Sequence, residues 1–308
     1  MPPDAGGVMQ KEYAIYANDY GDTSVLKYKQ MPIKKLAADE VKVRNYYSDV
    51  NCTDIRFRTG HCRLPSLPSV LGIEGVGVIE SVGKNVKKLH VGQRVAYAGL
   101  SAGSYASANN ILAEQLIALP SSLPSDVVAS TLLRGIAAYM LLTETYQVKS
   151  GDVVLVRSDN TSLALILMQW LKLLGAIVIT YDDRSFVGSI DYIIDGMGGE
   201  GLMQSILAVK PGGTLAHIGQ VEKNRADDVN SLLLERDIHF YQPKVTEFMQ
   251  DNARYHQAAN AVLAKLQQGL CAKIDTIIPF AEVRRAHQRL ESRRATGAIL
   301  LDTGIVRN

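Results

Sequence analysis

The sequence predicts an α/β protein of two domains, a β-barrel domain followed by a doubly wound parallel sheet. From Lys11 to about Leu119, short alternating apolar and polar segments are separated by glycine and proline, which is typical of a β-barrel or sandwich. Farther along the chain, strand-like and helix-like segments alternate, which indicates a parallel sheet with helices on both faces. A length of 308 residues allows each domain its own core.

The first domain is predicted to be almost entirely β-structure. Its candidate strands are EYAIYAND, VLKYKQM, EVKVRNYYSDV, VGVIESVG, QRVAYAG and ILAEQLIALP. The segment LGIEGVGVIESVG has glycines at Gly72, Gly75, Gly77 and Gly83, which predicts corners and close backbone approach in a curved sheet.

The stretch from Val153 to Thr180 organises the second domain. It reads as an apolar strand, a polar turn, an amphipathic helix and a second apolar strand, the pattern of a dinucleotide-binding βαβ unit. In such units a glycine-rich turn lets a pyrophosphate approach the helix N-terminus. Here the turn instead contains Asp159, Asn160, Thr161 and Ser162. The order of strand, turn and helix therefore predicts a nucleotide-binding site, and the residues of the turn predict that its affinity for the nucleotide is lowered.

The remaining segments complete the sheet and then leave it. DYIID is a buried strand, the helix LMQSILAVK follows, and TLAHIGQ is the next strand. A helix is predicted from about Asp251 to Leu270, and the tail after it lacks buried-strand character. We therefore assign residues 1–128, completed by 251–308, to the barrel domain and residues 129–250 to the nucleotide domain.

Composition excludes several classes of protein. A net charge of +2 gives no reason to expect nucleic acid or an anionic membrane as partner, and the basic run RRAHQRLESRR is predicted to be a solvated helix face. The longest apolar run contains Gln169 and Lys172, which argues against a membrane span. Three cysteines without C-x-x-C spacing predict a reducing, cytoplasmic location. The six histidines show no catalytic spacing and are predicted to be structural.

Many segments, in order along nearly the whole chain, resemble the medium-chain dehydrogenase/reductase superfamily and, within it, the zinc-free quinone oxidoreductases of the zeta-crystallin type. Among them are VNCTDIRFRTG, VLGIEGVGVIESVGKNVKKLHVGQRVAYA, GSYASANNILAEQLIALP, QWLKLLGA, DYIIDGMGG and AHQRLESRRATGAILL. The resemblance implies a GroES-like β-barrel domain plus a Rossmann domain, a nicotinamide cofactor (NADPH or NADH), a quinone or enone substrate and a homodimer.

Zinc is not expected from this resemblance. Zinc-dependent relatives have an early catalytic Cys and a His before the Glu of the glycine-rich barrel segment. This chain has Asn51 and Asp54 in the early region and Ile73 beside Glu74. No His and Cys set with suitable spacing is left for a metal.

Two departures from the family pattern concern the cofactor. The family's glycines in the first turn become Thr161, Ser162 and Ala164. In addition, the chain between Thr180 and the DYIID strand is roughly two dozen residues too short for a complete βαβ step. The loop that selects the 2′-phosphate has no clear counterpart here, so the sequence does not decide between NADPH and NADH. It also leaves open whether the cofactor binds.

Family register nevertheless implies a set of site residues. Asn51 matches the family asparagine that orients the acceptor or the nicotinamide, and Arg56 is a candidate to stabilise a developing oxyanion. Gly196, Gly198 and Gly201 form a G-x-G-x-x-G sequence, but register assigns this turn to the nicotinamide ribose rather than the pyrophosphate. The implied cofactor contacts are Asn51, Leu133, Asn160, Thr161, Ser162, Tyr181, Gly196, Gly198, Ile218, Gly219, Gln220, Tyr241, Pro243 and Arg293.

The resemblance therefore predicts an NAD(P)H-dependent, zinc-independent quinone oxidoreductase. Two alternatives stay open. One is a pseudoenzyme that keeps the scaffold as a binding or regulatory module with weakened or lost cofactor binding. The other is an enone reductase of the same superfamily.

Overall fold

The computed structural model describes residues 11–99, 103–158, 161–179, 188–218 and 226–305. The strands are β1 (Glu12–Ala17), β2 (Leu26–Met31), β3 (Glu40–Asp49), β4 (Ser69–Val70), β5 (Glu74–Val82), β6 (Arg94–Ala98), β7 (Ala108–Leu112), β8 (Ile117–Ala118), β9 (Val153–Arg157), β10 (Ile177–Ile179), β11 (Ile190–Asp195), β12 (Val209–His217), β13 (His239–Tyr241), β14 (Ile274–Pro279) and β15 (Ala298–Asp302). The α-helices are α1 (Cys52–Thr59), α2 (Ser125–Tyr139), α3 (Thr161–Leu173), α4 (Gly199–Ala208), α5 (Ala226–Glu235), α6 (Val245–Phe248), α7 (Asn252–Gln267) and α8 (Val283–Glu291).

The chain divides into two compact units. Unit 1 comprises residues 1–121, 276–295 and 299–308, and unit 2 comprises residues 122–275 and 296–298. The predicted strands of the first part are present, and α1 is a helix within a region where the sequence pattern indicates little regular helix. The order of β-structure first and alternating strands and helices second is confirmed.

Unit 1 is built on two sheets. A three-stranded sheet has the order β2-β1-β4, and a seven-stranded sheet has the order β14-β15-β3-β5-β6-β8, with β7 paired to β3. The predicted close approach at the glycines occurs at Gly77, where a Cβ atom would lie 2.2 Å from the carbonyl oxygen of Arg44 on the neighbouring strand. Glycine is therefore required there so that β5 can pack against β3.

Unit 2 is a parallel sheet of order β10-β9-β11-β12-β13. Its core includes Leu155, Ile193 and Leu215 from the three central strands and Leu202 and Ile206 from α4. These strands are buried on both faces, which explains their continuous apolar sequences.

The tail returns to unit 1 later than the sequence predicts. Strand β15 pairs with β3, so the C-terminal strand lies in unit 1. Residues 251–275, predicted to join the barrel domain, lie in unit 2 instead. Helix α7 packs closely on α2, since a Cβ atom added at Gly135 would lie 2.7 Å from the side chain of Val262. An amphipathic helix pattern identifies the buried face of α7 but not the surface that covers it.

One helical stretch, Ser125–Thr145, is long and apolar enough to cross a membrane by length and composition. It comprises α2 and the π-helical turn that follows. Inside unit 2, 72% of its apolar window is buried, as in the core helix of a globular domain.

Candidate active site

The corner around Asn51 in unit 1 lies where β3 ends and α1 begins. The backbone N–H of Asn51 donates to Oδ2 of Asp54 at 2.8 Å, which is one half of a capping box and fixes the start of α1. The Asn51 side-chain Nδ2 donates to Oε1 of Glu74 at 2.8 Å, and Glu74 is only 1% exposed. A carboxylate oxygen accepts rather than donates, so it selects the NH₂ side of the amide. The Oδ1 atom of Asn51 is therefore turned away from Glu74.

A buried polar cluster supports this corner. It consists of Asp54, Tyr105, His287 and Arg58, all nearly inaccessible to solvent. The Tyr105 hydroxyl lies 3.2 Å from Nε2 of His287, and Nη1 of Arg58 lies 3.5 Å from Nδ1 of His287. Since an arginine can only donate, Nδ1 of His287 accepts and Nε2 carries the proton. The cluster therefore links α1 to α8.

Burial sets the protonation states in this cluster. It raises the pKa of Asp54 to about 7, although hydrogen bonds from the Asn51 backbone and Tyr105 act in the opposite direction. Burial also lowers the pKa of His287 to about 3, and the nearby Arg58 charge adds to this effect. At neutral pH the imidazole is therefore uncharged, and Asp54 titrates close to physiological pH.

The two arginines of α1 have different environments. Arg56, the predicted catalytic candidate, is exposed on α1. Arg58 is buried, and its guanidinium forms two hydrogen bonds with the carboxylate of Glu291, one of them 3.0 Å long. Asp54, one helical turn before Arg58, and Phe57 are also buried on α1. The apolar pattern of CTDIRFRT does not mark Arg58 as buried, because two of the three buried side chains of α1, Asp54 and Arg58, are charged.

The carboxyl ends of three neighbouring strands in unit 2 place charged side chains together. Arg157 ends β9, Asp195 ends β11 and His217 ends β12, and Asp195 is the register partner of both of the others. Nη1 of Arg157 and Nδ1 of His217 each lie 3.6 Å from a carboxylate oxygen of Asp195. Ser205 of α4 donates to Asp195 and accepts from Arg157 at 2.6 Å. All four residues are buried.

The Asp195 carboxylate is stabilised in its charged form. Burial alone would raise the pKa of Asp195, but the neighbouring His217 ring and hydrogen bonds from Ser205 and the backbone of Gly198 and Met197 hold it below its usual range. The two backbone N–H groups lie 2.8 Å and 3.1 Å from Oδ1. Because these amides bind the chain's own carboxylate, they are not free to bind a phosphate. This geometry agrees with the assignment of the G-x-G-x-x-G turn to something other than the pyrophosphate.

Sequence reasoning missed this charged cluster, although the sequence contained a signal. The apolar segments VVLVR and DYIID each end in a charged residue. Parallel strands that are neighbours in a sheet bring such ends together.

Three residues pack closely together beside the charged cluster. A Cβ atom added at Gly196 would lie 3.3 Å from Oγ of Ser158 and 3.3 Å from Cγ1 of Ile218. Gly196, Ser158 and Ile218 follow β11, β9 and β12, so they lie at the carboxyl edge of the sheet, where ligands of open α/β sheets bind. Of the predicted cofactor contacts, Gly196 and Ile218 are thus brought together.

The other predicted contacts are dispersed. Ser162 is buried in the first turn of α3, Leu133 is buried in α2, Gly198 precedes α4, and Tyr241 is 47% exposed at the end of β13 with Pro243 two residues beyond. Asn51 and Arg293 belong to unit 1, where Arg293 is exposed after α8 with a φ of 56°. Asn160, Tyr181, Gly219 and Gln220 lie outside the described residues, and for Thr161 only the backbone at the start of α3 is described.

The donor set does not fit a zinc ion. Among the residues that the structure describes, no group of three or more His, Cys, Asp or Glu side chains could hold a metal. The side chains that form hydrogen bonds at the Asn51 corner are an amide and carboxylates, whereas zinc prefers thiolate and imidazole ligands.

Two family models match most of the chain. The description "Alcohol dehydrogenase GroES-like domain" matches residues 37–152, and "Zinc-binding dehydrogenase" matches residues 174–301. These are the two domains that the sequence resemblance implies, in the same order. The chain belongs to the medium-chain dehydrogenase/reductase superfamily.

Individual members of the superfamily are similar to this chain over nearly their whole length. The chain is 27% identical over 315 residues to a quinone oxidoreductase of Pseudomonas aeruginosa, covering 92% of this chain and 97% of that protein. The crystal structure of Escherichia coli quinone oxidoreductase complexed with NADPH has a TM-score of 0.83 at 25% identity, covering 94% and 99% of the two chains. A 2-haloacrylate reductase of Burkholderia is 26% identical over 301 residues, covering 85% and 90%.

This member of the superfamily has a shortened sequence. The alignment with the Pseudomonas protein spans 315 positions although it covers only 92% of the 308 residues present here, so this chain lacks residues that the relative has. The predicted two-domain fold and superfamily membership are confirmed.

Proposed function

We propose that this protein is an NAD(P)H-dependent oxidoreductase that reduces a quinone without a zinc ion. Near-full-length similarity to quinone oxidoreductases, one of them solved with NADPH, carries this proposal. The absence of zinc is supported by the amide and carboxylate groups around Asn51, which suit hydrogen bonding better than metal ligation. A nicotinamide cofactor supplies the hydride when it is bound.

The geometry at Asn51 narrows its proposed role. Glu74 and the carbonyl of Asp49 face the Nδ2 atom, at 2.8 Å and 3.5 Å. The Oδ1 atom has two lone pairs, so it can accept from a ligand as well as from the Asp54 backbone N–H of the capping box. An acceptor suits a ligand N–H or O–H, such as the carboxamide of nicotinamide or a quinol hydroxyl, and not a quinone oxygen. We therefore assign Asn51 to orienting a ligand donor group.

Arg56 takes the complementary role in this proposal. Its guanidinium is an exposed cation on the helix that Asn51 caps. Five fixed N–H donors suit the negative charge that develops on a quinone oxygen after hydride transfer. The other family-implied contacts, including Leu133, Ser162, Tyr241 and Arg293, stay proposals for the cofactor.

The test combines binding with turnover. Calorimetric titration with NADPH and NADH should show binding, and quinone-dependent oxidation of the cofactor should follow. Asn51→Ala should lower kcat/KM by about tenfold to a hundredfold, whereas Asn18→Ala, at an exposed position of unit 1, should leave it unchanged. Absence of both binding and turnover in the native protein would refute the proposal.

A second candidate is a binding or regulatory module derived from the enzyme scaffold. The altered turn at Thr161 and Ser162 and the shortened chain favour it. Under this alternative the native protein does not bind the cofactor, and replacing Thr161 and Ser162 by glycine restores binding. Failure of that double variant to bind would point to the shortened segment as the cause.

A third candidate is reduction of an activated alkene. The similarity to a 2-haloacrylate reductase favours it. Comparison of enones with quinones at matched cofactor concentration separates this candidate from the first, because the preferred acceptor has the higher kcat/KM.

The assembly and location follow the family in this proposal. We infer a homodimer in the cytoplasm. Light scattering coupled to size-exclusion chromatography measures the mass in solution, and a mass equal to one chain would contradict the dimer.

A further inference from the structure

A cavity of about 510 Å³ lies within unit 1. Its lining comes from β1 and the residue before it, from β2 and β3, from the segments just before β7 and just after β14, and from the chain that follows β15. Among its described lining residues, none belongs to the Asn51 corner. A volume of this size accommodates a small organic molecule.

One wall of the cavity consists of three aromatic rings. Tyr13 and Tyr28 come from neighbouring strands and stack with their ring centroids 5.2 Å apart and their planes 16° apart. Phe280 meets Tyr28 edge to face, with 5.8 Å between the ring centroids. Because Tyr28 lines the cavity and is 45% exposed, part of this wall is accessible to a ligand. Aromatic rings of this kind favour contact with a flat apolar molecule.

The polar part of the lining consists of hydrogen-bond donors. Arg44 donates to Glu80 at 2.6 Å, which is its only side-chain hydrogen bond within the described part of the chain. A guanidinium has five N–H donors, so most of the Arg44 donors are left for a ligand. Lys11 is exposed at the cavity and has no ion-pair partner among the described residues. The Ser107 hydroxyl accepts from the backbone N–H of Tyr13 at 3.0 Å and keeps its own proton to donate.

The electrostatics of the cavity favour an anion. Its described lining contains two cations, Arg44 and Lys11, and no carboxylate. Glu80, outside the lining, neutralises Arg44, so Lys11 leaves one positive charge in excess. Burial and the neighbouring Tyr13 raise the pKa of Tyr28, so its hydroxyl keeps its proton at neutral pH. A negatively charged group therefore meets donors and cations here, without a like charge in the lining.

We propose that this cavity binds a small aromatic carboxylate. The aromatic wall contacts the flat apolar body, and the Arg44 guanidinium and the Lys11 ammonium bind the carboxylate group. A planar guanidinium matches a planar carboxylate. Phosphate sites instead use free backbone N–H groups, and in this lining the N–H of Gly304 already donates to Asp302 at 2.8 Å. The proposal goes beyond the oxidoreductase function, because it concerns a second ligand in another part of unit 1.

Calorimetric titration of the full chain with 2-naphthoate tests the proposal. 2-Naphthamide has nearly the same shape but no charge, so its affinity measures the contribution of the aromatic wall. The carboxylate should bind at least about tenfold more tightly than the amide, because only the carboxylate forms charge-assisted hydrogen bonds with Arg44. Equal affinity of the two compounds, or no saturable binding of 2-naphthoate, would overturn the proposal.

Variants of the two cations locate the carboxylate. Arg44→Gln should weaken the binding of 2-naphthoate about tenfold and leave that of 2-naphthamide unchanged. Lys11→Gln should weaken 2-naphthoate about threefold, and its exposed position keeps the test valid if the Arg44 variant does not fold. Lys34→Gln removes the same charge at an exposed position outside the lining and should change neither affinity. Unchanged binding of 2-naphthoate in folded variants of the lining cations would contradict the placement of the site.

Two further variants separate this cavity from the Asn51 corner. Arg56 is an exposed guanidinium on α1 and is the competing site for a flat anion, so Arg56→Gln should leave the affinity for 2-naphthoate unchanged. Loss of binding in Arg56→Gln with normal binding in Arg44→Gln would overturn the proposal. Tyr28→Ala removes the central ring of the wall and should weaken both compounds about fivefold. Unchanged affinity for both compounds in that variant would exclude the aromatic wall as part of the site.

Discussion

Two buried groups in unit 1 make opposite contributions to the pH dependence of stability. Between pH 7.5 and 4.5, His287 stays neutral in the folded protein, with a pKa of about 3, but gains a proton in the unfolded chain, where its pKa is 6.5. A base with a lowered folded pKa contributes stability above its unfolded pKa and loses it on acidification. At about 1.4 kcal/mol per pH unit, the loss over the two units from pH 6.5 to 4.5 is about 3 kcal/mol.

Asp54 acts in the other direction. Its folded pKa of about 7 lies above the unfolded value of 3.8. An acid with a raised folded pKa contributes stability at low pH and loses it as the pH rises toward the folded value. Acidification from pH 7.5 to 4.5 therefore restores about 3 kcal/mol. In the native protein the two contributions nearly cancel.

Single variants should expose each contribution. Relative to the native protein, Asp54→Asn should lose about 3 kcal/mol more free energy of unfolding between pH 7.5 and 4.5, because only the His287 contribution is left. His287→Gln should gain about 3 kcal/mol over the same interval, and the double variant should follow the native protein. Each protein is compared with itself at two pH values, so any change in the free energy of unfolding that the substitution causes equally at both pH values cancels.

Urea unfolding followed by far-ultraviolet circular dichroism measures these differences. Trp170, the single tryptophan, lies in α3 of unit 2, so its fluorescence transition reports on unit 2 and serves as an internal control. Parallel pH dependence in the native protein and both single variants would refute the assigned protonation states.

Three further predictions concern other contacts. Gly77→Ala should destabilise unit 1 by about 3 kcal/mol, because the new methyl group meets the carbonyl of Arg44, and a normal urea midpoint would contradict this. Arg157→Met should cost about 3–5 kcal/mol by leaving Asp195 buried without its cation, and Arg157→Met combined with Asp195→Asn should recover part of that loss in the same assay. Glu74→Gln should lower kcat/KM for quinone reduction about tenfold in a variant whose circular dichroism spectrum matches that of the native protein, because an amide can present either its oxygen or its NH₂ group and no longer fixes the orientation of Asn51; equal kinetics would exclude an orienting role for Glu74.

The sequence predicted most of the fold because its signals are local. Strand alternation before Leu119 and the βαβ pattern from Val153 to Thr180 depend on neighbouring residues, and both are present in the structure. The packing surface of α7 was not predictable in this way. Its apolar stripe is the same whether it packs on the barrel or on α2, and only the contact with Gly135 decides between them.

The candidate site was predicted less completely. Gly196 and Ile218 were identified from family register and lie together at the sheet edge. Arg56 was identified from its charge, but the arginine that joins the buried cluster is Arg58. Residue type alone does not distinguish an exposed guanidinium from a buried one, since the difference depends on the partner helix that supplies His287 and Glu291.

The sequence by itself determined the fold class, the order of the two domains, the absence of a zinc ligand set at the expected positions and the shortage of chain after β10. These properties depend on periodicity, residue type and length, which can be read without coordinates. The tertiary structure decided which polar groups meet. Asp54 and Tyr105 join His287 from distant parts of the chain, and Arg157, Asp195 and His217 meet only because β9, β11 and β12 are adjacent. Long-range pairing sets their burial and their pKa values, and therefore the chemistry that each group can perform.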